Sequence, residues 1–294
     1  MRHWFFLFAA AASPLLSAEE KGYWDYHPLH VGGNGIYLGQ ADITPAHSDA
    51  HYGELQFNKA NIFATILVPI SRYSYFFPRI EWNIFTLDWN RNPKFNKTQF
   101  NYMQFGLTFY TIALEKWRWI IRGDYNMDAQ HFYRPGSYGL FSGLLWGSYQ
   151  IHRKWHYHIG ALGYVGLQGD QFYPVLGFDY SPNKKWYFEI VFPINYEIRY
   201  QWTERWRVAL KGRPLKERFR SGTHEPQARS IFSYSTIGAE LNLQYEIIRK
   251  FEFEAYGGYN FGGTFYIKDL GGRNALYTDV HGSPYAGFKL DYGF

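Results

Sequence analysis

Over positions 237–247 the chain alternates without a break. Ile237, Ala239, Leu241, Leu243, Tyr245 and Ile247 fall on one phase, Glu240, Asn242, Gln244 and Glu246 on the other. Successive side chains of a strand point to opposite faces, so this window predicts a strand with one apolar and one polar face. After Arg249 and Lys250 the pattern resumes, with Phe251, Phe253, Ala255, Tyr259 and Phe261 against Glu252, Glu254 and Asn260. A short basic turn between two such runs predicts a hairpin. Trp117, Trp119, Ile121, Tyr125 and Met127 likewise alternate with Arg118, Arg122, Asp124, Asn126 and Asp128. Windows 103–109, 155–167, 186–202, 206–210 and 288–294 follow the same rule.

Two architectures bury such strands. A β-sandwich hides the apolar face against a second sheet; a transmembrane β-barrel turns it to lipid and keeps the polar face for the lumen. The ends of the strands separate them. Charged turns run directly into aromatics at Lys116-Trp117, Lys154-Trp155, Lys185-Trp186, Arg205-Trp206 and Lys250-Phe251. Amphipathic rings at strand ends suit the headgroup boundary of a bilayer. The expected fold is therefore all-β, a transmembrane antiparallel β-barrel of 12 to 14 strands. The count turns on window 186–202, where alternation crosses Pro193. Either this is one long strand, or a hairpin whose three-residue loop (193–195) preserves the phase.

The last ten residues place Ala286, Phe288, Leu290, Tyr292 and Phe294 on one face, with Tyr285, Lys289 and Asp291 on the other. An alternating final strand ending on an aromatic resembles the assembly signal that Gram-negative outer-membrane β-barrel proteins present to their insertion machinery. That resemblance implies outer-membrane location and a partnership of Tyr292 and Phe294 with that machinery. Segment 174–220 is similar to uncharacterised barrel families of about 300 residues, which bring no activity with them.

Composition narrows the picture. With 294 residues, 22% of them aromatic, the chain has too much to bury to be disordered. Beyond the first eighteen residues no run of about eighteen apolar residues occurs, which excludes a polytopic helical membrane protein. There is no Cys, which removes disulfides, thiolate metal sites and cysteine nucleophiles together. At the start, Arg2 and His3 precede an apolar stretch, and Ser17 and Ala18 precede Glu19 and Glu20. This reads as a secretory signal peptide of residues 1–18, hence export through the Sec pathway. Residues 19–50 then form a periplasmic tail or contribute a first strand near 36–43, and residues 51–294 the barrel. The net charge of +5 falls to +4 once Arg2 leaves with the leader, too mild to imply nucleic acid.

Three groups of residues are candidates for function. Arg118, Arg122, Asp124, Asp128, Arg205, Arg207, Glu240, Glu246, Glu252 and Glu254 fall on polar strand faces. In a water-filled lumen, separate acidic and basic rows set ion preference; in a narrow one, the same residues pair and fill the interior. Long connections are expected at 90–97, 130–137, 211–229 and 262–282. The third carries Lys216, Arg218 and Arg220, anion-binding candidates toward phosphate or lipopolysaccharide, since guanidinium forks match phosphate. The histidines, including His27, His30, His47, His51, His152, His156 and His158, match no zinc spacing, and neither metal nor cofactor is expected. Ser142, Ser148 and Ser233 stand in no nucleophile motif, so an outer-membrane lipid enzyme is the weakest reading. The leading one is a porin-like channel for small polar solutes or ions. The alternative is a structural or surface-contact barrel whose loops bind lipopolysaccharide or another cell.

Overall fold

The computed structural model describes residues 28–45, 53–90, 96–167, 169–248, 250–269 and 276–294; the expected signal peptide lies outside them. The strands are β1 (Leu29–Pro45), β2 (Gly53–Ile66), β3 (Val68–Ser71), β4 (Ser74–Trp89), β5 (Gln99–Thr111), β6 (Trp117–Asp128), β7 (Gly139–His152), β8 (Trp155–Gly166), β9 (Gln171–Tyr180), β10 (Trp186–Phe192), β11 (Asn195–Gln201), β12 (Trp206–Arg220), β13 (Ile231–Ile248), β14 (Phe251–Lys268), β15 (Leu276–Val280) and β16 (Ser283–Gly293). One short helix, α1 (Pro135–Tyr138), precedes β7. Each strand pairs antiparallel with its neighbours, and β1 pairs with β16 from His30↔Gly293 to Leu38↔Tyr285, which closes the sheet. The segments β2 and β3 together form one wall strand, as do β15 and β16, giving a closed barrel of 14 strands. Closure leaves no unpaired strand edge at the seam.

The alternation read from the sequence fixes which side chains face out. Ile80, Leu107, Ile121, Leu145, Ile159, Leu176, Ile190, Ile198, Leu210, Leu241 and Phe288 are exposed on the outer surface. Their sequence neighbours on the opposite phase, among them Glu81, Thr108, His158, Glu189, Glu197, Glu240 and Asn242, are buried inside. At the end of the barrel bearing the short turns, outward rings pair across strands: Phe76 with Phe109, Trp117 with Tyr149, Trp155 with Tyr180, Trp186 with Tyr200, Trp206 with Tyr245, and Phe251 with Tyr292, centroids 4.3–6.2 Å apart. This is the aromatic girdle of a membrane barrel.

The structure resolves the ambiguity at Pro193 in favour of the hairpin. Val191 lies opposite Asn195 and Trp186 opposite Tyr200, so the connection spans an odd number of residues and both strands keep the same phase. Among the described residues β1 is the first wall strand; it runs from Leu29 and contains the stretch 36–43. Two expected loops are shorter than the sequence implied. β12 runs on to Arg220, and the 262–282 connection is strand up to Lys268 and again from Leu276. The polar side chains there hid the strands, because neither face stays apolar. Gly258 explains one glycine pair: a Cβ there would run into the Ala239 carbonyl oxygen, so β13 and β14 approach too closely for any side chain.

Candidate functional site

The interior is organised by what happens to β12 beyond Gly212. Up to Gly212 this strand pairs with β11; beyond it, β11 has already turned back. β12 remains paired with β13 as far as Arg220↔Ile231, and β13 with β14 as far as Ile231↔Lys268. The freed sheet edge curls inward. Its odd positions pack against the opposite wall: Phe219 lies 4.5 Å from the Phe85 ring centroid and 5.3 Å from that of Phe100, and equally far from its own β13 neighbour Phe232. Glu217 accepts from Lys59 Nζ at 2.8 Å and from the Tyr102 hydroxyl at 3.2 Å. Within the curl, Leu38, Ile43, Leu55, Phe57, Phe85, Leu87, Phe232, Tyr234 and Phe265 form a core that is almost fully buried. The long-loop half of β1, β2, β4, β5 and β12–β15 is thus packed on an aromatic interior.

Even positions of β12 tell the complementary story. Val208 and Leu210 share this phase, and Leu210 is exposed on the apolar outer face. From Pro214, which is buried, the same phase turns inward and carries Lys216, Arg218 and Arg220. These face the inner rim of β7–β9. Lys216 Nζ donates to Gln171 Oε1 and lies about 5.9 Å from the rings of Tyr164 and Tyr173. Arg218 Nη1 donates to the Gly169 carbonyl at 2.9 Å; Arg220 Nε donates to that of Ser137 at 2.6 Å and Nη1 to that of Arg229 at 3.0 Å. So the three cations expected in an external loop lie in a strand and are turned into the barrel. Between them and β5–β9 lies a cavity that opens to solvent.

The lumen candidates are brought together mostly as pairs. Arg122 Nε donates to Asp124 Oδ2 at 2.7 Å. Glu254 takes Lys211 Nζ at 3.2 Å together with the amides of Asn242 and Gln244. Glu240, 1% exposed, receives both Arg213 nitrogens, Nη2 at 2.7 Å, and the Tyr285 hydroxyl at 3.2 Å. Asp128 lies 3.4 Å from His131. Glu246 and Glu252 face each other across β13 and β14 near the short-turn end. Arg205 sits exposed in the turn before β12, and Arg207 lies on the inner phase just above it. Tyr292 belongs to the outer girdle, while the Phe294 amide donates to the Leu29 carbonyl at 2.8 Å across the barrel seam.

Arg118 belongs to a network that sequence spacing did not reveal. Its Nη2 lies 2.8 Å from His156 Nε2, and His156 Nδ1 lies 2.6 Å from Asp179 Oδ1. His158 Nε2 reaches Asp179 Oδ2 at 3.1 Å, while Trp146 Nε1 donates to His158 Nδ1 at 2.9 Å. Because a Trp N–H and a guanidinium only donate, the imidazole nitrogens facing them accept, and each ring gives its other N–H to Asp179. Four strands are thereby tied through one carboxylate. Lys59 and Glu217 were also missed; their pairing crosses the lumen, and sequence gives no distance between strands so far apart. The signal that was present is the change from apolar to basic on the outer phase of β12 at Pro214.

Comparison with known proteins follows the same lines. An outer membrane channel of Pseudomonas putida F1 (COG4313) is similar in structure, with a TM-score of 0.52 at 8% identity over 92% of this chain and 98% of that one, which shows a shared fold. Uncharacterised proteins of Chlamydia pneumoniae and Chlamydia trachomatis serovar D are each 27% identical, over 60% and 57% of this chain and 55% and 52% of theirs. The chain thus spans about half the length of the curated relatives it matches. Residues 90–293 match the family described as "Domain of unknown function (DUF6268)", and the chain belongs to that family.

Proposed function

We propose that this barrel is an outer-membrane channel for small polar solutes, its lumen narrowed on one side by the inward-curled β12–β13 hairpin. The observation that carries the reading is the two-sided use of that hairpin. One face closes on an aromatic core, whereas the other borders a cavity against β5–β9 in which Lys216, Arg218, Arg220 and Gln171 stand among apolar side chains such as Met127, Leu140 and Leu167. A barrel built only to be filled has no use for buried cations on the second face, because burying charge is costly. The channel named in the Pseudomonas putida structure supports the same class. In this reading the short turns and both chain ends face the periplasm and the long connections face outward.

The test is single-channel conductance of the refolded chain in a planar bilayer. Steady steps are the expected result. Silence from protein that migrates as a folded, heat-modifiable barrel overturns the channel and favours a surface-contact barrel acting through its loops.

A further inference from the structure

We infer that the cavity between β12 and β5–β9 is the solute site of this channel, and that it takes a small hydroxylated anion, a sugar phosphate or a sugar acid. The inference rests on the channel reading and adds a ligand class to it. Alternate residues of a strand stand about 7 Å apart on one face, so Lys216, Arg218 and Arg220 form a ladder of three basic side chains along the cavity wall. Arg218 and Arg220 are buried, 9% and 6% exposed. Among the described residues none of the three has a carboxylate partner; their donors go to main-chain carbonyls and one side-chain amide.

A buried cation satisfied only by neutral acceptors keeps its charge uncompensated, and buried charges are ordinarily paired. The nearby acids are committed elsewhere. Glu217 is held by Lys59 and Tyr102 and Asp124 by Arg122, while Asp128, itself on the cavity wall, takes the Gln130 main-chain amide at 2.7 Å. Two donors on the cavity wall have hydrogens to give and no acceptor: Arg218 Nε and the Tyr138 hydroxyl are both buried without a partner. An arginine with a spare N–H beside further cations is suited to the forked oxygens of phosphate or carboxylate. The rest of the wall favours a sugar over a bare ion. Tyr164 offers an apolar ring, and Asn101 and Asn126 offer amides that donate to and accept from hydroxyls. These groups face the inside of the barrel, which assigns the anion to a solute and not to the phosphates of a lipid headgroup.

The experiment is calorimetric titration of the refolded full chain with glucose 6-phosphate, glucuronate, inorganic phosphate and glucose, with conductance read on the same preparation. The expected result is that the two sugar anions bind at least tenfold tighter than glucose and that inorganic phosphate falls between them. Arg218→Gln/Arg220→Gln is expected to weaken the sugar anions at least tenfold. Should that double variant fail to fold, Lys216→Gln, which removes no main-chain clamp, is expected to weaken them severalfold. Equal affinity for glucose and its phosphate, unchanged affinity in the folded variants, or no binding at all overturns the site. Channel and site fail separately: conductance without block by glucose 6-phosphate sinks the site alone, while binding by a silent barrel sinks the channel alone.

Discussion

At Glu240 the meaning of an inward charge is decided by its neighbours. The carboxylate is 1% exposed and takes the Arg213 fork and the Tyr285 hydroxyl, and the Arg213 guanidinium also lies 4.2 Å from the centroid of the Tyr256 ring. Removing one member of such a pair strands the other in a dry interior, which costs about 3–5 kcal/mol, whereas replacing both by apolar groups of similar volume is close to neutral. Glu240→Ala is therefore expected to destabilise the vesicle-folded barrel by about that much in urea titration, and Arg213→Met/Glu240→Leu to recover most of it. Equal losses in both variants would mean that the charges act independently. Sequence alternation placed Glu240 inside, because phase follows from the period of a strand. It did not pair Glu240 with Arg213, since partners across strands depend on register, and register is set by turns and bulges such as that between Thr236 and Gly238.

The β12–β13 hairpin is the element whose behaviour departs most from a plain barrel wall. β10 and β11 have seven residues each, so β12 loses its neighbour halfway up and its upper part bends into the lumen. Phe219 is the anchor, packed among Phe85, Phe100, Tyr102 and Phe232. Truncating a buried Phe costs about 3–5 kcal/mol, spent here at the contact that holds the hairpin to the far wall. Phe219→Ala is expected to lower stability by that order and to enlarge the single-channel step, because the hairpin gains freedom to swing off the core. A destabilised variant with an unchanged step would show that the hairpin does not limit the path. The alternation through β12 was legible up to Leu210, four residues short of Pro214. Beyond it both faces are buried, one against aromatics and one against the rim of β7–β9, and a strand buried on both faces carries no period-two signal. Basic composition then reads as a solvated loop, which is why Lys216, Arg218 and Arg220 were expected outside.

For the molecule as a whole, the strand phases make a testable claim about solvent. Ile198, Leu210 and Leu241 lie side by side across β11, β12 and β13 and are 41%, 52% and 62% exposed. In water, a continuous belt of such residues around a barrel would drive association; in a bilayer it is the surface that lipid requires. Arginine on the lipid face costs about 2–4 kcal/mol near the midplane and about 0–1 kcal/mol near the interface. Leu210→Arg is accordingly expected to destabilise the barrel folded into vesicles by about 2–4 kcal/mol. Leu114→Arg, in the exposed turn between β5 and β6, makes the same chemical change at the membrane edge and should cost about 0–1 kcal/mol. Both substitutions start from a leucine more than half exposed, so area burial alone predicts the same small effect for each. Only a hydrocarbon layer centred on the apolar belt separates them, and equal urea midpoints for the two variants would place that layer elsewhere.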